Sequence, residues 1–338
     1  RRAVAIAERY HGVDTLDTNH ILGGLAMVLG DVGEVDEAER LFRRVLAVYE
    51  GTIGNAHPVY ASAVRYLGRL LTKQERWAEA EPLIRQALAI IEKVLDETHP
   101  DIVLMLSTHT HLLSQLQRPD EEEPLARRLL AIAIRMHGAD HPEVAWAYLR
   151  LGICLEDQGK LDESEECIRR ALAITEAHPG ANAPHAFTVL GAIARVVFAA
   201  KRYDEAALLY ERAIDASDPA DASQTQSIAF RSRNWGLALR AAGRNAEAED
   251  PLRRTLHIAE QEFPPGHFVI ARGLIELARV LESLDRREEA ASLLERARAI
   301  VEELPEEERA NYDCSPARVE SITNERDGAG DSAVEAAG

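Results

Sequence analysis

The sequence is 338 residues long and sets 57 Asp and Glu against 39 Lys and Arg, a formal charge of −18. That balance opposes sequence-independent binding to nucleic acid or to an anionic membrane surface. Its apolar stretches are short and broken by Arg, Glu or Gly, well under the roughly 20 residues that cross a bilayer.

Arg1 to Tyr10 has helical spacing and no signal-peptide core or cleavage site. The segment to residue 14 is read as the second helix of a preceding hairpin, within a chain expected to continue something longer. Cys154, Cys167 and Cys314 are too few for a disulfide framework, and none sits in a CxxC pair. Reduced thiols and a cytoplasmic location are expected.

A repeat follows. EAERLFRRVLAV begins at Glu37, EAEPLIRQALAI at Glu79, EEEPLARRLLAI at Glu121 and ESEECIRRALAI at Glu163, with later copies at Glu205, Glu247 and Glu289. Each start lies 42 residues after the last, without insertion or deletion. A second landmark keeps the same phase: His57-Pro58, His99-Pro100, His141-Pro142, Ala183-Pro184, and His267 without its proline. Proline suits the first helical turn, where its missing N–H costs nothing, so a helix is predicted to start at each. Apolar residues then recur at helical spacing (Val64, Leu67, Leu71), a polar break intervenes (Lys73 to Arg76), and a second stripe follows (Ala80, Ile84, Ala87, Leu88). Each unit is therefore a helical hairpin, with starts near residues 15, 57, 99, 141, 183, 225 and 267.

Stacking the units exposes three columns. The last apolar position of the first helix is Leu29, Leu71, Leu113, Leu155, Val197, Leu239 and Leu281. Three residues earlier stand Ala26, Gly68, Thr110, Gly152, Ala194, Gly236 and Ala278, and the second helix contributes Ala38, Ala80, Glu122, Ser164, Ala206, Ala248 and Ala290. Small residues let helix axes approach, and hairpins that bury one face only on their neighbours form a solenoid. The unit from His99 places His109 and Glu122 in core columns and Pro119 between its helices, so a local distortion is expected there.

The order Gly68, Leu71, Ala80, Ile84, Ala87 resembles the tetratricopeptide repeat. The 42-residue period, the His-Pro pairs and Glu-Ala-Glu-Pro-Leu resemble its kinesin light chain type. The resemblance covers 1–303 and implies an all-α, α-α superhelix of about seven hairpins that binds proteins and has no chemistry of its own. The paired asparagines common in that type are replaced here by Gly23 and Gly24, Arg65 and Tyr66, or Leu149 and Arg150, and only Asn234 remains. After the last repeat, an acidic run from Glu306 to Glu308 precedes Ser315-Pro316, which is read as the start of a short helix in a C-terminal cap over 304–326. Residues 327–338, dominated by Gly, Ala, Ser and acid, are expected to be disordered.

Nothing suggests catalysis, a cofactor or a metal. His57, His99, His141 and His267 stand one repeat apart, and stacked hairpins hold such points about 8–10 Å or more from one another, too far to share one ion. No phosphate-loop, dinucleotide, nucleophile-elbow or zinc-protease motif occurs.

What remains is the stripe of each first helix that faces away from its packing columns. In proteins this chain resembles, that stripe lines a concave groove for partner segments. Here it carries Arg65, Arg69, Trp146, Arg195, Phe198, Phe230, Arg233, Arg240, Arg272 and Arg279, arginines and aromatics in an acidic protein. Forked guanidiniums suit carboxylates, and aromatic rings bring contact area at small entropic cost. The expected partner is a protein or peptide with an acidic segment or chain-terminal carboxylate, or an upstream domain of the same parent chain, and not nucleic acid or membrane. The leading expectation is the sensor or adaptor array of a larger bacterial signalling protein. A cargo adaptor of kinesin light chain type, or the regulatory half of an enzyme, are the alternatives.

Overall fold

The computed structural model describes residues 1–180, 185–217 and 224–303, and among these it contains fifteen α-helices and no strand. The expected helix start at Ala183-Pro184, the cap over 304–326, the tail 327–338 and Cys314 lie outside the described residues.

Two compact units divide the chain, one ending at Lys160 and the other beginning at Leu161. The first contains α1 (Arg2–His11), α2 (Leu16–Asp31), α3 (Val35–Thr52), α4 (Pro58–Lys73), α5 (Trp77–Ile91), α6 (Pro100–Gln115), α7 (Pro119–His137) and α8 (Pro142–Asp157). The second contains α9 (Leu161–Ala177), α10 (Ala186–Ala199), α11 (Tyr203–Asp215), α12 (Thr225–Ala241), α13 (Asn245–Glu262), α14 (Phe268–Ser283) and α15 (Arg287–Glu303). The second helices begin at Val35, Trp77, Pro119, Leu161, Tyr203, Asn245 and Arg287, each 42 residues after the last. Within each unit, consecutive helices pack on one another.

Local chemistry sets these boundaries. At α4, α6, α8 and α14 the residue before the helix is His57, His99, His141 or His267, and its Nδ1 accepts the N–H two residues on, at 3.2–3.3 Å. The ring thus satisfies a donor that the first helical turn leaves open, the task usually given to Ser, Thr, Asp or Asn. These histidines are N-caps.

The turn inside each hairpin is equally uniform. Gly33, Glu75, Gln117, Gly159, Lys201, Gly243 and Asp285 hold the same position in each repeat, and all have positive φ, between 53° and 90°. The next residue donates its N–H to the carbonyl five positions back, as in Arg76 to Leu71 at 3.0 Å and Arg244 to Leu239 at 2.8 Å. This left-handed closure caps the first helix and starts the second. The accepting carbonyls belong to the aliphatic column read from the sequence.

All three columns are buried throughout. Gly68 and Gly236 show why the middle one is small: a Cβ on Gly68 would stand 2.6 Å from Ile84 Cδ1, and one on Gly236 would stand 2.6 Å from Leu252 Cγ.

The distortion expected in the unit from His99 does not move the starts of its helices, Pro100 and Pro119, which lie 42 residues after Pro58 and Trp77. Pro119 is not between them but in the first turn of α7. The polar residues in the core have polar partners: His109 Nε2 lies 3.0 Å from Glu81 Oε1, and Arg150 donates to Glu122 Oε1 at 2.8 Å. A buried polar group that is hydrogen-bonded does not force the helices apart.

Successive second helices are joined by ion pairs. Arg76 binds Glu79 in its own helix and reaches back to Glu39 of the preceding repeat, both at 2.7 Å. Arg202 likewise binds Glu205 and Glu165 at 2.8 Å, and Arg286 binds Glu289 and Glu249 at 2.7 Å.

Candidate partner-binding face

In the second compact unit, arginines of the first-helix stripe gather around one carboxylate. Glu276, on α14, is 8% exposed. Its Oε1 is faced by Arg233 of α12 at 3.7 Å and by Arg279 of its own helix at 3.5 Å, while its Oε2 is faced by Arg240 of α12 at 3.8 Å. These separations exceed hydrogen-bond distance, so the attraction is Coulombic rather than directional. Glu276 Oε2 and Arg279 Nε are both buried and have no hydrogen-bond partner. Three guanidiniums thus converge on one anion at a site that retains polar capacity.

Arg272 stands half-buried four residues before Glu276, and Arg195 is half-buried on α10. Phe198 meets Tyr203 edge-on at 5.3 Å between ring centroids, and Phe230 is half-buried on α12. One feature of this face was not anticipated from the sequence: Arg231 lies 4.0 Å above the Phe187 ring and crosses Gly191, where a Cβ would stand 2.1 Å from its Nε.

In the first unit the stripe behaves differently. Arg65 and Arg69 lie 4.3 and 5.5 Å from the Tyr66 ring, which stacks on Phe42 at 6.0 Å. Arg69 also pairs with Asp31 at 3.4 Å. Trp146 is 42% exposed, and Leu104, at the same position one repeat earlier, is 48% exposed. Leu104 is a second apolar residue on this stripe that the sequence reading passed over.

Leu149, Gly191 and Ile275, which share the stripe's face by helical spacing from Trp146, Arg195 and Arg272, do not face solvent but are buried. Helix positions that point away from one neighbour are covered by the next in a stacked array.

The other chemically suggestive residues are structural. Burial, with the charges of Glu122, Asp157 and Glu123 nearby, pushes the Cys154 thiol up to about 12, and its Sγ approaches the Pro119 carbonyl at 3.4 Å. A thiol held protonated is a poor nucleophile. Among the described residues no cluster of three or more His, Cys, Asp or Glu is arranged to hold a metal, and no helix is long and apolar enough to cross a membrane.

A family profile described as tetratricopeptide repeat matches the sequence over residues 14–93, 59–135, 111–177, 143–218 and 227–303. The chain belongs to the tetratricopeptide repeat family. The 42-residue step of its second helices is the length of the kinesin light chain-like repeat. Among solved structures, BtubC (BKLC) from P. vanneervenii is similar over 69% of this chain and 92% of that chain, at 20% identity and a TM-score of 0.53. A putative kinesin light chain from Podosopora anserina with nearly identical TPR-like repeats is matched over 72% of this chain and 96% of that one, at 20% identity and a TM-score of 0.37. A STAND protein with a tetratricopeptide repeat sensor from Pyrococcus horikoshii is similar over 88% of this chain at 16% identity and a TM-score of 0.65. This chain covers 44% of that protein's length. Among curated proteins, none matches the sequence. Tetratricopeptide arrays are typically interaction scaffolds without catalysis of their own, and this one has that architecture.

Proposed function

We propose that this tetratricopeptide array is a non-enzymatic scaffold that binds an acidic segment of a partner protein on the first-helix stripe of its second compact unit. The observation that carries the reading is the convergence of Arg233, Arg240 and Arg279 on a single buried carboxylate in a protein of net charge −18. Forked guanidiniums match carboxylate geometry, and a group of them on one face of an acidic protein favours an acidic segment there. Phe198 and Phe230 add apolar area beside the charges. In the first unit, Trp146 with Leu104, and the Arg65-Tyr66-Arg69 group, supply a second, more apolar contact face.

The test is direct. A labelled peptide rich in Glu and Asp, titrated into the intact chain, is expected to bind more weakly as salt rises, and Arg195→Glu with Arg240→Glu is expected to abolish binding. Unchanged affinity in a variant that melts like the wild type would sink the reading.

Within a cell we read the array as the sensor or adaptor arm of a larger signalling protein in a bacterial cytoplasm. Support comes from the fold shared with the STAND protein's sensor-bearing chain. The cargo-adaptor alternative is weaker because most of the paired asparagine positions hold other residues.

A further inference from the structure

One guanidinium of the first compact unit is held by a residue that the repeat does not call for. Glu122 stands in a column that is Ala or Ser in every other repeat, and only 2% of its side chain is exposed. Its Oε1 accepts a hydrogen bond from Arg150 Nη2 at 2.8 Å, while its Oε2 is buried and has no partner. Arg150 is the less enclosed of the two, with 29% of its side chain exposed. Its Nε and Nη1 make no hydrogen bond and are not buried. Among the described residues Glu122 is the only carboxylate that binds Arg150, so the pair carries no net charge while Glu122 is ionised.

One turn before Arg150 on α8 stands Trp146, 42% exposed, and Leu104 of α6, 48% exposed, holds the same position one repeat earlier. Residues four apart on a helix are neighbours on its surface. The outward edge of the guanidinium and the indole thus lie side by side.

We propose that Arg150 and Trp146 form a binding site for an acidic residue flanked by an apolar one, and that Glu122 gates it, shut while ionised and open once protonated. The proton comes from solvent and goes to Oε2, the oxygen that Arg150 leaves unbound. Neutral Glu122 no longer balances the guanidinium, and a carboxylate of a partner segment pairs with its outward edge. The apolar neighbour of that carboxylate meets Trp146, and Leu104 extends the apolar area. This site belongs to the first compact unit and needs none of the arginines of the second.

Glu122 is placed to change charge near neutrality. Burial, opposed by Arg150 and reinforced by Asp157, both of α8, pushes its pKa up to about 7. Glu123 beside it on α7, hydrogen-bonded by Lys160 and Arg127, is lowered to about 2, and the Cys154 thiol of α8 stays protonated. On α6, His109 pairs with Glu81, and His111 is held below its ordinary value by burial and by the charge of Arg150, so it stays neutral where Glu122 titrates. A ligand that binds only the protonated form has an apparent affinity proportional to the protonated fraction. That fraction is about nine-tenths at pH 6 and about one-tenth at pH 8, so affinity should fall about tenfold between them.

The experiment titrates a fluorescent peptide, with one Glu beside one Leu in an otherwise neutral sequence, into the intact chain at pH 6 and pH 8. The wild type is expected to bind about tenfold more tightly at pH 6. Glu122→Gln, neutral at both, should bind at pH 8 as tightly as the wild type does at pH 6. Arg150→Gln should bind weakly at both. Any binding by the second unit is common to the three proteins, so the differences between them report on this site.

If Glu122→Gln melts as the wild type does and keeps the full difference between the two pH values, the gate is wrong. Should that variant fail to fold, Glu122→Ala decides, since Ala fills this column at Ala38, Ala80, Ala206, Ala248 and Ala290. A difference retained there overturns the gate equally. Unchanged affinity of Arg150→Gln at pH 6 overturns the site itself. Equal binding by all three proteins would leave the acidic-segment reading of the second unit standing and overturn only this inference.

Discussion

The carboxylate of Glu122, buried on α7, accepts a hydrogen bond of 2.8 Å from Arg150 on α8 and occupies the column that holds Ala or Ser in every other repeat. Burial pushes its pKa up to about 7, against the pull of Arg150 and with help from Asp157. The folded chain then holds this proton more tightly than the unfolded one, whose carboxyl titrates near 4.5. Stability from this group is fully present below about pH 4.5 and is lost as pH rises through about 7. The expected loss across that window is about 3 kcal/mol. Thermal melts of wild type and Glu122→Gln at pH 5 and pH 8 check it: the variant's difference between the two should be clearly smaller.

The hairpin turns offer a stability gain. Glu75, Gln117 and Lys201 hold left-handed backbone with φ of 59°, 53° and 62°, a conformation that costs a residue with a side chain about 1 kcal/mol. Each replaced by Gly should stabilise the chain by about 0.5–1 kcal/mol, and Gly243→Ala should destabilise it by a similar amount. Chemical denaturation of the four single variants reads this directly. A loss on Gln117→Gly would contradict it.

The capping histidines should accept a chemical substitute. His57→Ala removes the acceptor for the Val59 N–H and should cost about 1 kcal/mol, whereas His57→Asn should retain most of the stability. If both variants lose the same amount, the ring matters for packing and not for the cap.

Gly236→Ala should destabilise more than Gly68→Ala. In the first case the new methyl meets Leu252 at the branching Cγ; in the second its nearest contact is the terminal Cδ1 of Ile84, which can turn away. Both should fall in the range of about 1–3 kcal/mol typical of overpacked cores. Equal midpoints in urea for the two variants would show that the hairpin relaxes as a whole.

Much of this architecture is legible in the sequence because the repeat supplies its own alignment. The positions of Leu71, Gly68 and Ala80 recur seven times, so their shared burial follows from any one of them. The His-Pro pairs announced helix starts, although not that the imidazole itself would be the cap. Contacts that break the period were illegible. Glu276 stands where the preceding repeat has Asn234 and the first has Gly24, and nothing local says that arginines from α12 will close around it. Arg231 over Phe187 and His109 against Glu81 are likewise pairings between elements, which periodicity does not encode. Leu149 and Ile275 lie on the stripe by helical spacing, yet adjacent packing buries them.

The uniform left-handed turn has an evolutionary corollary. Since each joint closes through the same carbonyl-to-amide bridge at the same ordinal place, a whole block can be duplicated or excised and both flanks still find their complement. Any other change of length leaves a mismatched junction. Growth of such a protein is thus quantised, and its history is expected to run in whole modules.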